Sequence, residues 1–316
     1  FMNYKKSKKI KKNTEAMPQK QRDVCKIIQW FPGHMAKAKR EIASALPLVD
    51  IAIEICDARI PVSSRNPQIK DIIGNKPSLL ILNKTSLADP EENSKWKKYF
   101  ESSGQSVLFT DCITGQGINT IVPEVKKILK DKISLWESKG MKGRVPRILI
   151  IGITNSGKSS LVNKLCGSKR VKTEDRPGVT RQNQWISVKG AAELLDTPGI
   201  LWPKFDDEKT GLHLAYTGAI NDDILDKEEI SVLLCSELLK KYPSQFLTRY
   251  KLSEEQTSDL NPYELFELVG RKRGFLISGG EVDYARTASV VLDEFRSAAI
   301  GRITLESPES SESYKT

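Results

Sequence analysis

Four short apolar runs mark the first half of the chain, and each ends in polar or small residues. Val49 to Cys56 is interrupted only by Asp50 and Glu54, and it passes into Asp57, Ala58, Arg59, Ile60 and Pro61. Ser78 to Leu82 passes into Asn83, Lys84, Thr85 and Ser86. Ser106 to Thr110 passes into Asp111, Cys112, Ile113 and Thr114, with Gly115 and Gly117 closing a turn. Ile148 to Ile151 passes into Gly152. Mostly apolar runs of this length suit strands buried on both faces. Helical spacing fills the intervals, near Glu92 to Phe100 and along Ile118 to Glu137. Strands alternating with helices predict a doubly wound, mostly parallel sheet whose ligands sit at the C-terminal ends of the strands.

Outside these runs the pattern changes. Residues 1–27 have almost no apolar periodicity and are expected to be disordered. A helical pattern follows Trp30 to Gly33 and runs from His34 to Leu46. Gln184 to Val188 and Ala191 to Leu195 form a predicted hairpin around Lys189 and Gly190. From about Asp206 the spacing is helical, with Ile230, Leu233, Leu234 and Leu238 on one face. Asn261 and Pro262 give a helix start, Gly270 a stop, and Asp283 a cap for a last helix reaching about Ala299. The Ser- and Glu-rich tail is expected to be mobile.

The stretch Gly152 to Ser160, GITNSGKSS, reads as G-x-x-x-x-G-K-S between a strand and a helix, the Walker A arrangement. Its glycines let the backbone amides of Asn155 to Ser160 and the helix N-terminus converge on a polyphosphate. Within it Ser156, Gly157, Lys158, Ser159 and Ser160 are the expected phosphate contacts, with the Lys158 ammonium on the terminal oxygens and the Ser159 hydroxyl on Mg²⁺. In D-x-x-G at Asp196 to Gly199, the Asp196 carboxylate would hold Mg²⁺ through water and the Gly199 N–H would read the γ-phosphate. Thr180, in P-G-V-T, would join the metal only when a γ-phosphate closes its loop. Asn83 and Lys84 suit a purine: the lysine stem lies along the base and the amide meets its edge. Together these are the recognition loops of a GTPase, taken in a rotated order, since Asn83 precedes Gly152 by 69 positions. A doubly wound sheet tolerates such a reopening.

Charge and cysteines narrow the setting. Twelve of the first 40 residues are Lys or Arg against Glu15 and Asp23, which accounts for the whole net charge of +10. That arm is either a solvated tail or a phosphate-backbone-binding segment. Five scattered cysteines form no C-x-x-C pair, so a reducing compartment and no structural zinc are expected. No apolar run approaches the 18 or so residues that span a bilayer. A cytoplasmic protein with no membrane and no DNA partner, acting as a monomer, is expected.

The blocks QWFPGHMAKAKRE, DARIPVSSRNP, GITNSGKSS, DRPGVTR, LLDTPGILWPKF, YTGAI and GGEVDY resemble the ribosome biogenesis GTPase A (YlqF-type) family over about Ile28 to Thr304. The resemblance implies an α/β fold, a circularly permuted P-loop GTPase domain over 28–205 followed by a small all-α, RNA-binding domain over 206–304. A basic extension over 1–27 and a mobile tail over 305–316 complete the expected organisation. It also implies GTP and GDP as ligands with Mg²⁺ and K⁺, and the large ribosomal subunit with its rRNA as partner, stimulating hydrolysis. By the same resemblance Asn155 ligates K⁺ and His34 positions the attacking water, with helix capping the other reading of His34. Lys240, Lys241, Arg249, Lys251, Arg271, Lys272, Arg273, Arg296 and Arg302 are the candidate RNA contacts. His213 reads as surface or core filler.

Two positions depart from the family. Ile200 stands where many GTPases carry a water-positioning Gln, and it cannot orient water by hydrogen bonding. Ser86 replaces the aspartate of N-K-x-D, and the third recognition loop is Asp111 and Cys112. Losing a charge-assisted bond predicts guanine selectivity weakened about ten- to a hundredfold, with Asp89 as a possible compensating carboxylate. A nucleotide-gated scaffold with weak hydrolysis, or a permuted GTPase acting on another RNA, fits the same motifs.

Overall fold

The computed structural model describes residues 40–168, 184–197, 199, 201 and 207–309. Six strands form one sheet: β1 (Ile51–Asp57), β2 (Ser78–Asn83), β3 (Val107–Phe109), β4 (Arg147–Ile151), β5 (Gln184–Val188) and β6 (Ala192–Asp196), in spatial order β3-β2-β1-β4-β6-β5. All neighbours are parallel except the β5/β6 hairpin. From β1 the chain winds outward through β2 to β3, then returns to β4 and winds the other way. The reversal places a crevice between the C-terminal ends of β1 and β4, where such sheets bind ligands.

Side-chain alternation sets the layers. Ile51, Ile53 and Ile55 of β1 face α3 (Ile121–Ile128) and α5 (Lys158–Cys166), packing with Ile121, Val125, Leu161 and Val162. Ala52 and Cys56 face the opposite side. There Ile42 and Ala45, from a helical turn at residues 40–45, and Ile69 of α1 (Pro67–Ile73) pack near Ala52, while Trp96 and Phe100 of α2 (Pro90–Ser102) pack near Cys56. The single helix expected along Ile118 to Glu137 is broken, with α3 ending at Ile128 and α4 (Lys130–Ser138) beginning two residues on.

The C-terminal unit holds α6 (Glu208–Tyr216), α7 (Lys227–Lys241), α8 (Pro243–Tyr250), α9 (Glu254–Thr257), α10 (Pro262–Lys272) and α11 (Tyr284–Arg296). α7 lies at its centre, burying Ile230, Leu234 and Leu238 as its spacing requires, and also Val232 and Cys235. Asn261 and Asp283 cap α10 and α11 as expected. Gly270 does not stop α10. It lies inside the helix, and close packing accounts for the glycine, since a Cβ there would stand 2.5 Å from Val282 and 2.8 Å from Thr287.

The tail expected to be mobile from 305 begins instead as part of the core. Leu305 is buried, and the Glu306 carboxylate accepts from the Val62 amide at 2.6 Å and the Ser63 amide at 3.1 Å, while Trp96 Nε1 donates to Glu306 O at 3.0 Å. The helical unit and the sheet share one apolar cluster, in which Ile60, Ile153 and Leu201 pack with Leu214, Ala219 and Phe295. Among the described residues no helix is long and apolar enough to cross a membrane.

Candidate nucleotide site

The phosphate end is built from main chain. Asn155 (φ 55°) and Gly157 (φ 100°) turn the loop back on itself before Lys158 opens α5. Gly157 is required by close approach: a Cβ there would collide with the Asn83 amide nitrogen. The Lys158 side chain is buried, with Nζ 2.6 Å from Ile153 O and 3.2 Å from Gly152 O, so the ammonium sits inside the loop it closes. Ser159 and Ser160 lie in the first turn of α5, where amides have no intrahelical acceptor. β6 ends at Asp196, opposite Ile150 of the Walker strand, and Thr197 Oγ1 fixes the crossing by donating to Ile150 O at 2.7 Å. Gly199 then meets the cradle: a Cβ on it would stand 2.8 Å from the Thr154 backbone and 3.0 Å from Lys158 Nζ.

The base end is built from side chains at the tips of β1, β2 and β3. Asn83, buried, donates from Nδ2 to Ser156 O at 3.0 Å, while its Oδ1 accepts from Cys112 N at 3.2 Å and Thr110 Oγ1 at 3.3 Å. The amide therefore ties three loops together. Lys84 adopts φ 65° and sets its Nζ 2.9 Å from Asp57 Oδ2. Asp57 also takes Arg59 bidentately, at 2.9 and 2.7 Å. Burial raises its pKa, but Arg59 and Lys84 outweigh this and hold the carboxyl well below its ordinary value. Ser86 donates from Oγ to Asp111 Oδ2 at 2.5 Å and from its amide to the same oxygen at 3.0 Å. Asp89 does not compensate for Ser86. One of its oxygens caps α2 at Glu91 N, 2.8 Å away, and the other accepts from the Tyr242 hydroxyl at 3.1 Å.

The helical unit touches both ends. Thr154 Oγ1 donates to Ala219 O, and Asn155 Nδ2 donates to Gly218 O at 2.7 Å. That turn is itself held by Arg296, which donates to Ala215 O and Tyr216 O at 2.9 Å each. At the base end Arg302 donates to Thr85 O at 2.8 Å and Ala88 O at 2.9 Å, and Ile303 N donates to Leu87 O at 3.1 Å. Further from the loops, His213 is fully buried, with Nδ1 2.9 Å from Glu306 and Nε2 3.3 Å from Glu237. Burial alone would push its pKa down; the hydrogen bonds to the two carboxylates outweigh this and hold it above the ordinary value.

This geometry agrees with comparison to known proteins. The family described as 50S ribosome-binding GTPase matches residues 147–261, starting at the Walker strand and leaving out the Asn83 loop that precedes it. Ribosome biogenesis GTPase A of Bacillus pumilus is 48% identical over 285 residues, covering 90% of this chain and 99% of the relative. The chain belongs to the ribosome biogenesis GTPase A family. It is therefore a GTPase. Mitochondrial ribosome-associated GTPase 1 of Mus musculus is 33% identical over 299 residues, covering 89% and 90% of the two chains. GNP-bound YlqF from T. maritima superposes with a TM-score of 0.60 at 27% identity, covering 86% of this chain and 99% of that one. A GDP-bound structure of TM YlqF gives 0.63 at the same identity, covering 85% and 100%.

In this chain the fold brings Asn83, Lys84, Ser86, Asp111 and Cys112 to one rim with Asn155, Ser156, Gly157, Lys158, Ser159, Ser160 and Gly199. Asp196 is placed by its backbone at the end of β6. His34, Thr180 and Ile200 lie outside the described residues. Sequence reading missed Asp57, Arg59 and Arg302 as braces of the base loop. The polar cluster at the end of β1 was the available signal for the first two. Nothing local marks Arg302, whose contacts lie more than 200 positions away. His213 is neither surface nor plain filler: with Ser63, Glu237 and Glu306 it joins the loop after β1 to α6, α7 and the C-terminal segment.

Proposed function

We propose that the protein is a GTP-hydrolysing assembly factor for the large ribosomal subunit, cytoplasmic and monomeric, binding immature subunit and rRNA in the GTP state and leaving after hydrolysis. The observation that carries the reading is the pair of hydrogen bonds from Thr154 and Asn155, inside the phosphate loop, to Ala219 and Gly218 of the helical unit. A change at the phosphates would reach the helical unit through these two bonds. The relatives' names supply the ribosome.

The residues fit a magnesium triphosphate. Ser159 and Asp196 offer the hard oxygen donors that Mg²⁺ prefers, and Thr180 would complete them. Among the described residues no cluster of three or more His, Cys, Asp or Glu forms a metal cage, as suits an ion held mainly by phosphate and water. When bound, Mg²⁺ neutralises charge on the phosphate oxygens and orients them for in-line attack. Lys158 meets the terminal oxygens, Gly199 N–H reads the γ-phosphate, and the loop amides hold the rest. Asn155 is the ligand for a stimulating K⁺, and His34 positions the attacking water.

The basic face of the helical unit is narrower than its composition suggests. Arg249 and Arg273 bind Glu294, Arg271 binds Glu267 and Arg296 binds Asp222. Lys240, Lys251 and Lys272 remain exposed and are the first choice for rRNA contacts. Phosphate release measured with and without large subunits, in K⁺ and then Na⁺, tests the proposal. Stimulation by the subunit in K⁺ is expected, with a marked loss in Na⁺. Rates unmoved by subunit would favour a scaffold that only binds.

A further inference from the structure

We propose that guanine is selected by a two-residue relay, in which the Asp111 carboxylate accepts the hydrogen bond from the Ser86 hydroxyl and so leaves the Ser86 oxygen as an acceptor facing the base edge. The inference rests on reading the Asn83–Ser86 and Asp111–Cys112 loops as the walls of the base site.

Asp111 is completely covered, 0% exposed, and four donors occupy its two oxygens. The amides of Ile113 and Thr114 donate to Oδ1 at 2.8 Å each, and the Ser86 amide and hydroxyl donate to Oδ2 at 3.0 and 2.5 Å. No acceptor site of the carboxylate is turned outward, so it does not itself meet a base. Burial raises its pKa, but the bonds from Ser86, Thr114 and Ile113 outweigh this and keep it ionised. An ionised carboxylate only accepts, so the single hydroxyl proton of Ser86 lies on the line to Asp111. The half-buried Ser86 oxygen then has lone pairs alone to offer.

Guanine presents N1–H and N2–H donors at that edge, whereas adenine presents the N1 lone pair. The fixed oxygen accepts from guanine and sets lone pair against lone pair for adenine. A serine without the carboxylate behind it would rotate and serve either base. Replacing a charged bidentate acceptor by one neutral oxygen lowers guanine affinity about tenfold yet keeps the sense of the selection. One oxygen loses little when the N2 amine is missing, so inosine nucleotides bind within about threefold of guanine ones.

The test is calorimetric binding of GDP, ADP and IDP to the full chain and to three variants, with thermal melts as a folding control. In D111N the carboxamide oxygen stays on the Ile113 and Thr114 amides and its N–H₂ replaces the oxygen that both Ser86 donors share. The hydroxyl then turns to accept from it and can donate to a base, while the Ser86 amide loses its acceptor, a cost the melts register. The GDP-to-ADP ratio should fall about tenfold, with ADP binding rising. S86A should lose about tenfold for GDP and nothing for ADP. The exchange S86D/D111S keeps a hydroxyl on a carboxylate and puts the charged acceptor forward. It should bind GDP about tenfold more tightly than the parent and open a gap to IDP. Unchanged GDP-to-ADP ratios in D111N and S86A would overturn the relay alone. A parent chain that binds none of the three would overturn the functional reading and the relay with it.

Discussion

The two ends of the nucleotide site are built from different material. At the phosphate end the contacts are main chain: a loop turned by Asn155 and Gly157, a glycine at 199 so close that a Cβ on it would stand 2.8 Å from the Thr154 backbone, and one buried lysine. Backbone geometry admits few residue types at few spacings, so the pattern is rigid. At the base end the contacts are side chains from three strand tips, and what they must satisfy is a hydrogen-bond polarity. A hydroxyl and a carboxylate can trade places across two loops and still face one another, as Ser86 and Asp111 do at 2.5 Å. The phosphate end tolerates no such exchange.

That contrast can be broken by substitution. Lys158→Ala should have the largest effect, lowering kcat/KM for GTP about a thousandfold, since it removes the charge facing the transferring phosphoryl group. A fall of less than tenfold in a phosphate-release assay would mean that the buried lysine only shapes the loop. Gly199→Ala should come next, with hydrolysis reduced about a hundredfold and GDP affinity held within about threefold, because the methyl meets the Thr154 backbone and Lys158 Nζ and pushes residue 199, with its N–H for the γ-phosphate, away from the cradle. Equal losses in GDP binding and in rate would erase the distinction between the two ends.

The smallest effect on nucleotide is expected from the third polar cluster. His213→Asn should leave GDP affinity unchanged while costing about 2 kcal/mol of stability, because it removes the group that bridges buried Glu306 and half-buried Glu237, each of which keeps its other donors. The histidine's folded pKa is raised, so its contribution is complete below its ordinary value of 6.5 and fades as pH climbs through the raised value. Glu237, held at about 2, and Glu306, also lowered, contribute fully above their ordinary 4.5 and lose that as pH falls through their folded values. The melting-temperature gap between parent and variant should therefore be widest between pH 4.5 and 6.5 and narrow as pH climbs through the raised value of the histidine. A constant gap would show that His213 acts by packing alone.

Legibility in the sequence follows the same divide. The strands, the hairpin and the Walker turn could be read because burial on both faces and backbone curvature leave local marks in residue type. The helix break after Ile128 and the continuation through Gly270 could not, since close packing against Val282 and Thr287 accounts for the glycine and is a long-range fact. Ser86 looked like a loss because its partner, Asp111, lies 25 positions away in the loop after β3. Glu306 looked like part of a loose tail because its donors, Val62 and Ser63, lie more than 240 positions earlier.

The most direct measurement is a structure of the full chain with Mg²⁺ and a non-hydrolysable GTP analogue. The purine should lie between Lys84 and Cys112 with its N1 edge on the Ser86 oxygen, and the γ-phosphate should touch both Lys158 Nζ and Gly199 N–H. A base seated away from the Asn83–Ser86 loop, with the phosphates still on Gly152–Ser160, would contradict the account.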